Sequence, residues 1–230
     1  MVSDSIANNL IMMRRMRAIT RCGCYHLIKP QSIAEHSHGV ALLSMLIADE
    51  IAEREDGVAG DINVHKLQRK ALLHDFHEVY TDDIPWHMKH RHGMSAKERS
   101  VGKTWARKFW SSLNPLIPGA SELYGDCADS KNGGSMEGKI VALADMLELA
   151  LYLWDELLMG NTTVFVLFGD ATEYAARLNN DTVQSRIAAE IVGFLRGEQN
   201  VRGGAKKPFG SSEANFLEEH WEGDGDEPGD

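Results

Sequence analysis

Cysteine is scarce: the chain of 230 residues has three, Cys22, Cys24 and Cys127. So small and odd a number cannot build a disulfide framework, and a reducing compartment is expected. The Cys22-x-Cys24 spacing is too short for the usual zinc pair and Cys127 is remote, so these read as ordinary thiols. No stretch approaches the roughly 18 uninterrupted apolar residues of a membrane helix. The opening Met1-Val2-Ser3-Asp4 shows no basic region followed by an apolar run, so no secretory signal is expected. A glycine-rich phosphate loop is also missing, which argues against a P-loop mechanism. What remains is ordinary for a globular protein: 43% apolar and 25% charged residues in 25.6 kDa, enough for one domain with its own core.

The net charge of −10 is unevenly placed. Residues 213–230 hold eight acids and no Lys or Arg; the rest of the chain has 26 acids against 24 bases, a net of −2. A nearly neutral body argues against broad duplex nucleic-acid binding, which needs a basic surface. The expected organisation is a folded domain over 1–196 and a poorly ordered Gly- and acid-rich tail over 197–230. Phe216-Leu217 and Trp221 give that tail the alternative of docking on the body or a partner.

Periodicity predicts an all-α fold. Apolar residues from Ile6 to Met16 fit a first helix over Ser5–Thr20. Ser32-Ile33-Ala34-Glu35 reads as a capping box opening a helix through Ile51. Asp61 or Asn63 starts the next, running to about Tyr80, and Ser95-Ala96-Lys97-Glu98 is a second capping box. Ser135 caps a long apolar helix that Gly160 stops. Asp170–Glu173 and Thr182–Arg196 suggest two more helices. The β-rich stretch Asn161–Phe168 is too short and solitary for a sheet; it is a loop or the lead into a helix.

Ten histidines is a high count. Glu35-His36-Ser37-His38 falls in the first turn of one helix. His74-Asp75-Phe76-His77-Glu78 follows an apolar run in the next. Asp145 and Glu148 are the two acids between Ile140 and Leu153, and a carboxylate on a buried face is costly unless paired or metal-bound. His36, His74, Asp75 and Asp145 together supply two imidazoles and two carboxylates from three helices, the way bundles assemble metal sites. Such a donor set suits Mn, Co, Fe or Zn better than calcium. Six-fold coordination would leave two positions for a water and a phosphate oxygen. Taken singly, each residue has an ordinary explanation: a core histidine, a salt bridge, a turn aspartate.

The order His36, His74-Asp75, Asp145 resembles the HD-domain metal-dependent phosphohydrolases. The similarity is closer to the bacterial 5′-deoxynucleotidases and related phage dATP triphosphohydrolases. That branch has an arginine fifteen positions before the first histidine, here Arg21. It reads Ser-Glu-His-Ser where this chain has Ala34-Glu35-His36-Ser37. After His-Asp it has Glu-Val and Thr-x-Asp-x-Pro, matched by Glu78-Val79 and Thr81-Asp82-Asp83-Ile84-Pro85. The branch carries tryptophan after the arginine, and Cys22 stands there instead.

The resemblance covers roughly residues 15–195 and implies an HD-domain helical bundle. It implies one divalent transition metal (Co, Mn or Zn rather than Mg) on His36, His74, Asp75 and Asp145, and Glu78 and Asp83 as catalytic carboxylates. Arg21, Cys22, Thr81 and Lys89 would contact the substrate, with Arg21 clamping phosphate in bidentate fashion. Glu78, four residues after His74, would share its helix face. Hydrolysis at the α-phosphorus of a deoxynucleotide follows, either of a monophosphate or, as the alternative, of a triphosphate. A third reading is a catalytically silent nucleotide-binding module. A homodimer in the cytoplasm of a bacterium or a phage-infected host is the implied setting.

Overall fold

The computed structural model describes residues 11, 13–54, 62–83, 96–113, 119–128, 134–178 and 183–202. Among them the chain is helical, without a strand; one isolated bridge joins Thr20 and Ser32. The helices are α1 (Ile33–Arg54), α2 (Val64–Leu73), α3 (Glu78–Thr81), α4 (Ala96–Leu113), α5 (Ala120–Ala128), α6 (Met136–Leu158), α7 (Phe165–Arg177) and α8 (Val183–Arg202). A 3₁₀ turn, Thr162–Val164, precedes α7. The chain divides into two compact units, Met1–Gly193 and Phe194–Asp230, and the bundle core belongs to the first. No helix of the described residues is long and apolar enough to cross a membrane.

The caps act as the sequence predicts. The Ser32 backbone N–H donates to Glu35 Oε2 (2.8 Å) and the Glu35 N–H to Ser32 Oγ (3.2 Å), closing a capping box. Asn63 Oδ1 accepts from Lys66 N (3.0 Å), and Ser135 Oγ from Gly138 N (3.3 Å). Gly160 ends the α6 segment at φ 94, a conformation that favours glycine. The second expected capping box begins at Ser95, outside the described residues.

Helix α6 is apolar almost all round, and it is buried accordingly: Ile140, Leu143, Ala144, Leu147, Ala150 and Leu153 are fully covered. It packs against α1, α2, α5 and α7, so it is the axis of the bundle. A second cluster gathers Phe76, Phe109 and Trp110, with ring centroids 5.3 and 6.1 Å from Phe76.

Three expectations change. The first helix does not reach Thr20: residues 16–18 form turns, and Thr20 pairs with Ser32 instead. Ser5–Leu10 lie outside the described residues. The helix expected to run to Tyr80 stops at Leu73; residues 74–77 form a tight turn before α3. Its amides bond three residues back, Phe76 to Leu73 (3.0 Å) and Glu78 to Asp75 (2.9 Å). Phe76, inserted into the aromatic cluster, fixes that break. Helix α5 was not foreseen, because its sequence has neither a clear cap nor a sustained apolar face. Asn161–Phe168 turns out to lead into a helix.

Lys70 is fully buried. Its ammonium meets Asp126 Oδ2 on α5 at 2.5 Å and Ser135 Oγ at 2.9 Å, tying α2 to α5 and to the start of α6. Burial pushes the Asp126 carboxyl up, but hydrogen bonds from Lys70 and Lys66 outweigh it and hold the group below its ordinary value. A depressed native pKa contributes stability above the unfolded value and loses it as pH falls through the folded one. Asp126→Ala should therefore cost about 2–3 kcal/mol at neutral pH by leaving a buried ammonium short of its counter-ion. The gap from wild type should narrow below about pH 4. Urea denaturation across pH measures both; a constant gap would show that the ion pair is not its source.

Candidate active site

Three separate parts of the chain converge. His36 sits in the first turn of α1 and is wholly buried. His74 and Asp75 lie in the tight turn after α2, and Asp145 is in the middle of α6. One ligand atom from each lies within 4.8 Å of all the others. His36 Nε2 is 3.1 Å from Asp145 Oδ1, 3.3 Å from His74 Nε2 and 3.6 Å from Asp75 Oδ2. Consecutive positions of a regular helix point about 100° apart; leaving the helix at Leu73 lets His74 and Asp75 face one point. The His74 ring is oriented from behind, its Nδ1 2.8 Å from the Ala71 carbonyl.

Arg21 spans the two carboxylates. One guanidinium nitrogen is 2.9 Å from Asp75 Oδ2 and another 2.7 Å from Asp145 Oδ1. Its Nε is buried with no hydrogen-bond partner among the described residues. The electrostatics follow from this crowding. Burial pulls the Arg21 guanidinium down, but Asp145 and Asp75 lift it above its ordinary value. Burial raises the Asp145 carboxyl, yet Arg21 and the histidines hold it at about 2. Asp75 is likewise pressed well below the usual range, against its own burial, by His74 and Arg21. Burial opposes the charged His74 ring, while Asp75 and Asp145 raise it to about 9.

A polar stripe on α6 holds the segment that carries Arg21. Asp145, Glu148, Tyr152 and Glu156, three or four residues apart, lie on one helix face. Asp145 takes Arg21. Glu148 Oε1 accepts from Gln31 Nε2 (2.6 Å), and Tyr152 Oη donates to the Lys29 carbonyl (3.1 Å). Glu156, fully buried, accepts from the Ile28 and Lys29 amides (2.8 and 2.7 Å). Sequence reasoning singled out Asp145 and noted Glu148 without giving it a role; the signal for Glu156 was there too, another acid on the same stripe of an apolar helix.

The other expected residues divide. Glu78 is buried at the start of α3, near enough to bias Arg21 electrostatically. It does not share a continuous helix with His74, as the four-residue spacing implied, because the helix breaks between them. Asp83 Oδ2 accepts from the Cys22 backbone N–H at 2.5 Å, which brings Asp83 beside Arg21. Cys22 is buried at φ 54, a left-handed conformation costing a non-glycine residue about 1 kcal/mol. Burial pushes its thiol up to about 12, so it is no nucleophile near neutral pH. The Thr81 hydroxyl turns back on the His77 and Asp82 carbonyls (3.5 and 3.2 Å). Lys89 lies outside the described residues. His38 is exposed, and His77 packs on Tyr124.

Residues 8–189 match the family described as 5′-deoxynucleotidase YfbR-like. The chain belongs to that family. A 5′-deoxynucleotidase of Klebsiella pneumoniae is 27% identical over 184 residues, covering 79% of this chain and 85% of the relative. The Escherichia coli 5′-deoxynucleotidase YfbR is 28% identical over 149 residues, 64% of this chain and 71% of that protein. Among solved structures, an HD-domain phosphohydrolase of Listeria innocua aligns with a TM-score of 0.59 at 20% identity, over 84% of this chain and 99% of its own. The HD phosphohydrolase DatZ of cyanophage S-2L, solved with dA and one catalytic Zn²⁺ ion, aligns at 0.57 and 20% identity, over 84% and 95%. The protein is a metal-dependent phosphohydrolase with the helical HD fold.

The donor set fits a divalent ion: two imidazoles and two carboxylates with no thiolate, their formal charge of −2 cancelling that of the ion. Asp75→Ala is expected to abolish uptake of Mn, Co or Zn by chelator-stripped protein, measured by elemental analysis after dialysis. Uptake at the wild-type stoichiometry would show that the ion sits elsewhere.

Proposed function

We propose that the protein is a 5′-deoxynucleotidase, hydrolysing a deoxynucleoside monophosphate to deoxynucleoside and phosphate. The observation that carries the reading is Arg21, buried between Asp75 and Asp145 with an Nε that has no hydrogen-bond partner among the described residues. A guanidinium so placed adjoins the proposed metal-binding residues, where a substrate phosphate would meet it. The YfbR-like family match adds the substrate class.

An ion of Mn, Co or Zn on His36, His74, Asp75 and Asp145 would neutralise phosphoryl charge and ease deprotonation of water. The chain's own residues do the rest. Glu78, buried at the start of α3, orients the attacking water and takes its proton. Water oxygen bonds to phosphorus, the phosphorus–O5′ bond breaks, and O5′ receives a proton as the nucleoside leaves. Asp83, tied to the amide of Cys22, the residue after Arg21, is the candidate donor or water anchor for that second transfer. Arg21 holds the phosphoryl oxygens through the reaction. Cys22, next in the chain, fills the position from which a side chain would meet the sugar; its small size leaves that contact slight. Thr81 and Lys89 complete the proposed substrate set.

The test is a panel of dAMP, dGMP, dCMP, TMP, AMP and the matching triphosphates, with Mn, Co, Zn or Mg added back after chelation. Release of inorganic phosphate from deoxynucleoside monophosphates is expected. Triphosphate release from dNTPs would favour triphosphohydrolase action, and turnover of neither would favour a silent nucleotide-binding module. Glu78→Gln should lower kcat by about 10²–10⁴-fold while metal content stays at the wild-type level. Parallel loss of both would make Glu78 structural.

A further inference from the structure

We propose that Glu148 is a positioning residue that holds the His36 ring, and that Gly39 is the opening through which it does so. His36 has no exposed surface, so its two ring nitrogens must both be satisfied inside the protein. Nε2 faces Asp145, Asp75 and His74. Nδ1 faces away and meets Glu148 Oε2 in a short contact. An imidazole bound to a cation through one nitrogen must carry its proton on the other. The Glu148 carboxylate is the acceptor that keeps the proton on Nδ1 and leaves the Nε2 lone pair toward the centre. Acceptors of this kind also raise the basicity of the coordinating nitrogen.

The carboxylate is itself fixed at both oxygens. Oε2 takes His36, and Oε1 accepts from Gln31 Nε2 at 2.6 Å. It leaves α6 one turn beyond Asp145, so a single helix delivers a ligand and the support for a second ligand. Space for it exists because position 39 has no side chain. A Cβ built on Gly39 would lie 2.9 Å from Glu148 Cγ, closer than real Cβ atoms pack, and 3.0 Å from Oε1, so the carboxylate would have to shift. Gly39 is in the interior of α1, where glycine costs about 0.5–1 kcal/mol relative to alanine. Nothing about its backbone requires glycine, since no positive φ is recorded there. The close approach of Glu148 is the reason for it.

This inference rests on the four-residue centre holding a cation. The experiment therefore reads two quantities on the full chain. Calorimetric titration of chelator-stripped protein with Mn²⁺ should show Kd raised about 10–100-fold in Glu148→Ala. Gly39→Ala, which leaves the carboxylate in the chain but displaces it, should weaken binding as well. Glu148→Gln keeps an acceptor for the ring N–H and should fall between wild type and Glu148→Ala. The second readout is the imidazole Nδ1–H resonance of His36 in metal-free protein, expected far downfield in wild type and lost in Glu148→Ala and Gly39→Ala. If all three variants bind Mn²⁺ within twofold of wild type, or the resonance survives Glu148→Ala, the assignment is overturned. Should wild type take up no Mn²⁺, the cation centre falls on its own, and the resonance still decides whether Glu148 holds the ring.

Discussion

Two carboxylates, Asp75 and Asp145, are brought within reach of one guanidinium and two imidazoles inside a helical bundle. Each carboxylate by itself would be too costly to bury. Arg21 makes the arrangement tenable for the chain alone, because its fork reaches both at 2.9 and 2.7 Å. Every other feature of the site answers to this concentration of charge: the depressed carboxyls, the raised imidazole of His74 and the buried arginine. Taken apart from Arg21, two carboxylates and two neutral imidazoles carry a formal charge of −2, that of a divalent ion with the sign reversed.

The bundle is arranged to deliver those groups from different directions. Helix α6 is the apolar axis, and Asp145, Glu148, Tyr152 and Glu156 form a polar stripe along it. That stripe serves two purposes. Near its start it gives the centre Asp145 and the support for His36. Further on it clamps the 21–31 segment by its backbone, through Tyr152 and Glu156, and so fixes the approach of Arg21. The tight turn at 74–77 is the other essential departure from regular helix. Phe76, locked among aromatic rings, holds the turn in place between His74-Asp75 before it and Glu78 after it.

The membership in the YfbR-like family and the HD fold of structural neighbours agree with this construction, and the divergence from curated relatives, at 27–28% identity, leaves room for its own features. The Cys22 backbone is strained into the left-handed region and its amide is given to Asp83, so the position couples Arg21 to a third acid through the main chain rather than through a side chain.

Much of this protein was legible before any coordinates. The four residues that gather at the centre were named from residue chemistry and order, because a buried His-Asp pair and a lone carboxylate in an apolar helix are costly enough to stand out. The capping box at Ser32, the Ser135 cap, the Gly160 stop and a cap at Asp61 or Asn63, which the structure settles on Asn63, were legible for a simpler reason: each depends on near neighbours in the chain. What distant partners decide was not. The break at Leu73 depends on Phe76 finding Phe109 and Trp110, and no local spacing announces it. The same break removed the helical face that was to place Glu78. The loss of helix before Thr20 depends on pairing with Ser32, and the roles of Gln31, Gly39 and Glu156 depend on which groups the folded chain lays against α6. Local bonds can be read along a sequence; the satisfaction of buried charge is settled only when the helices meet.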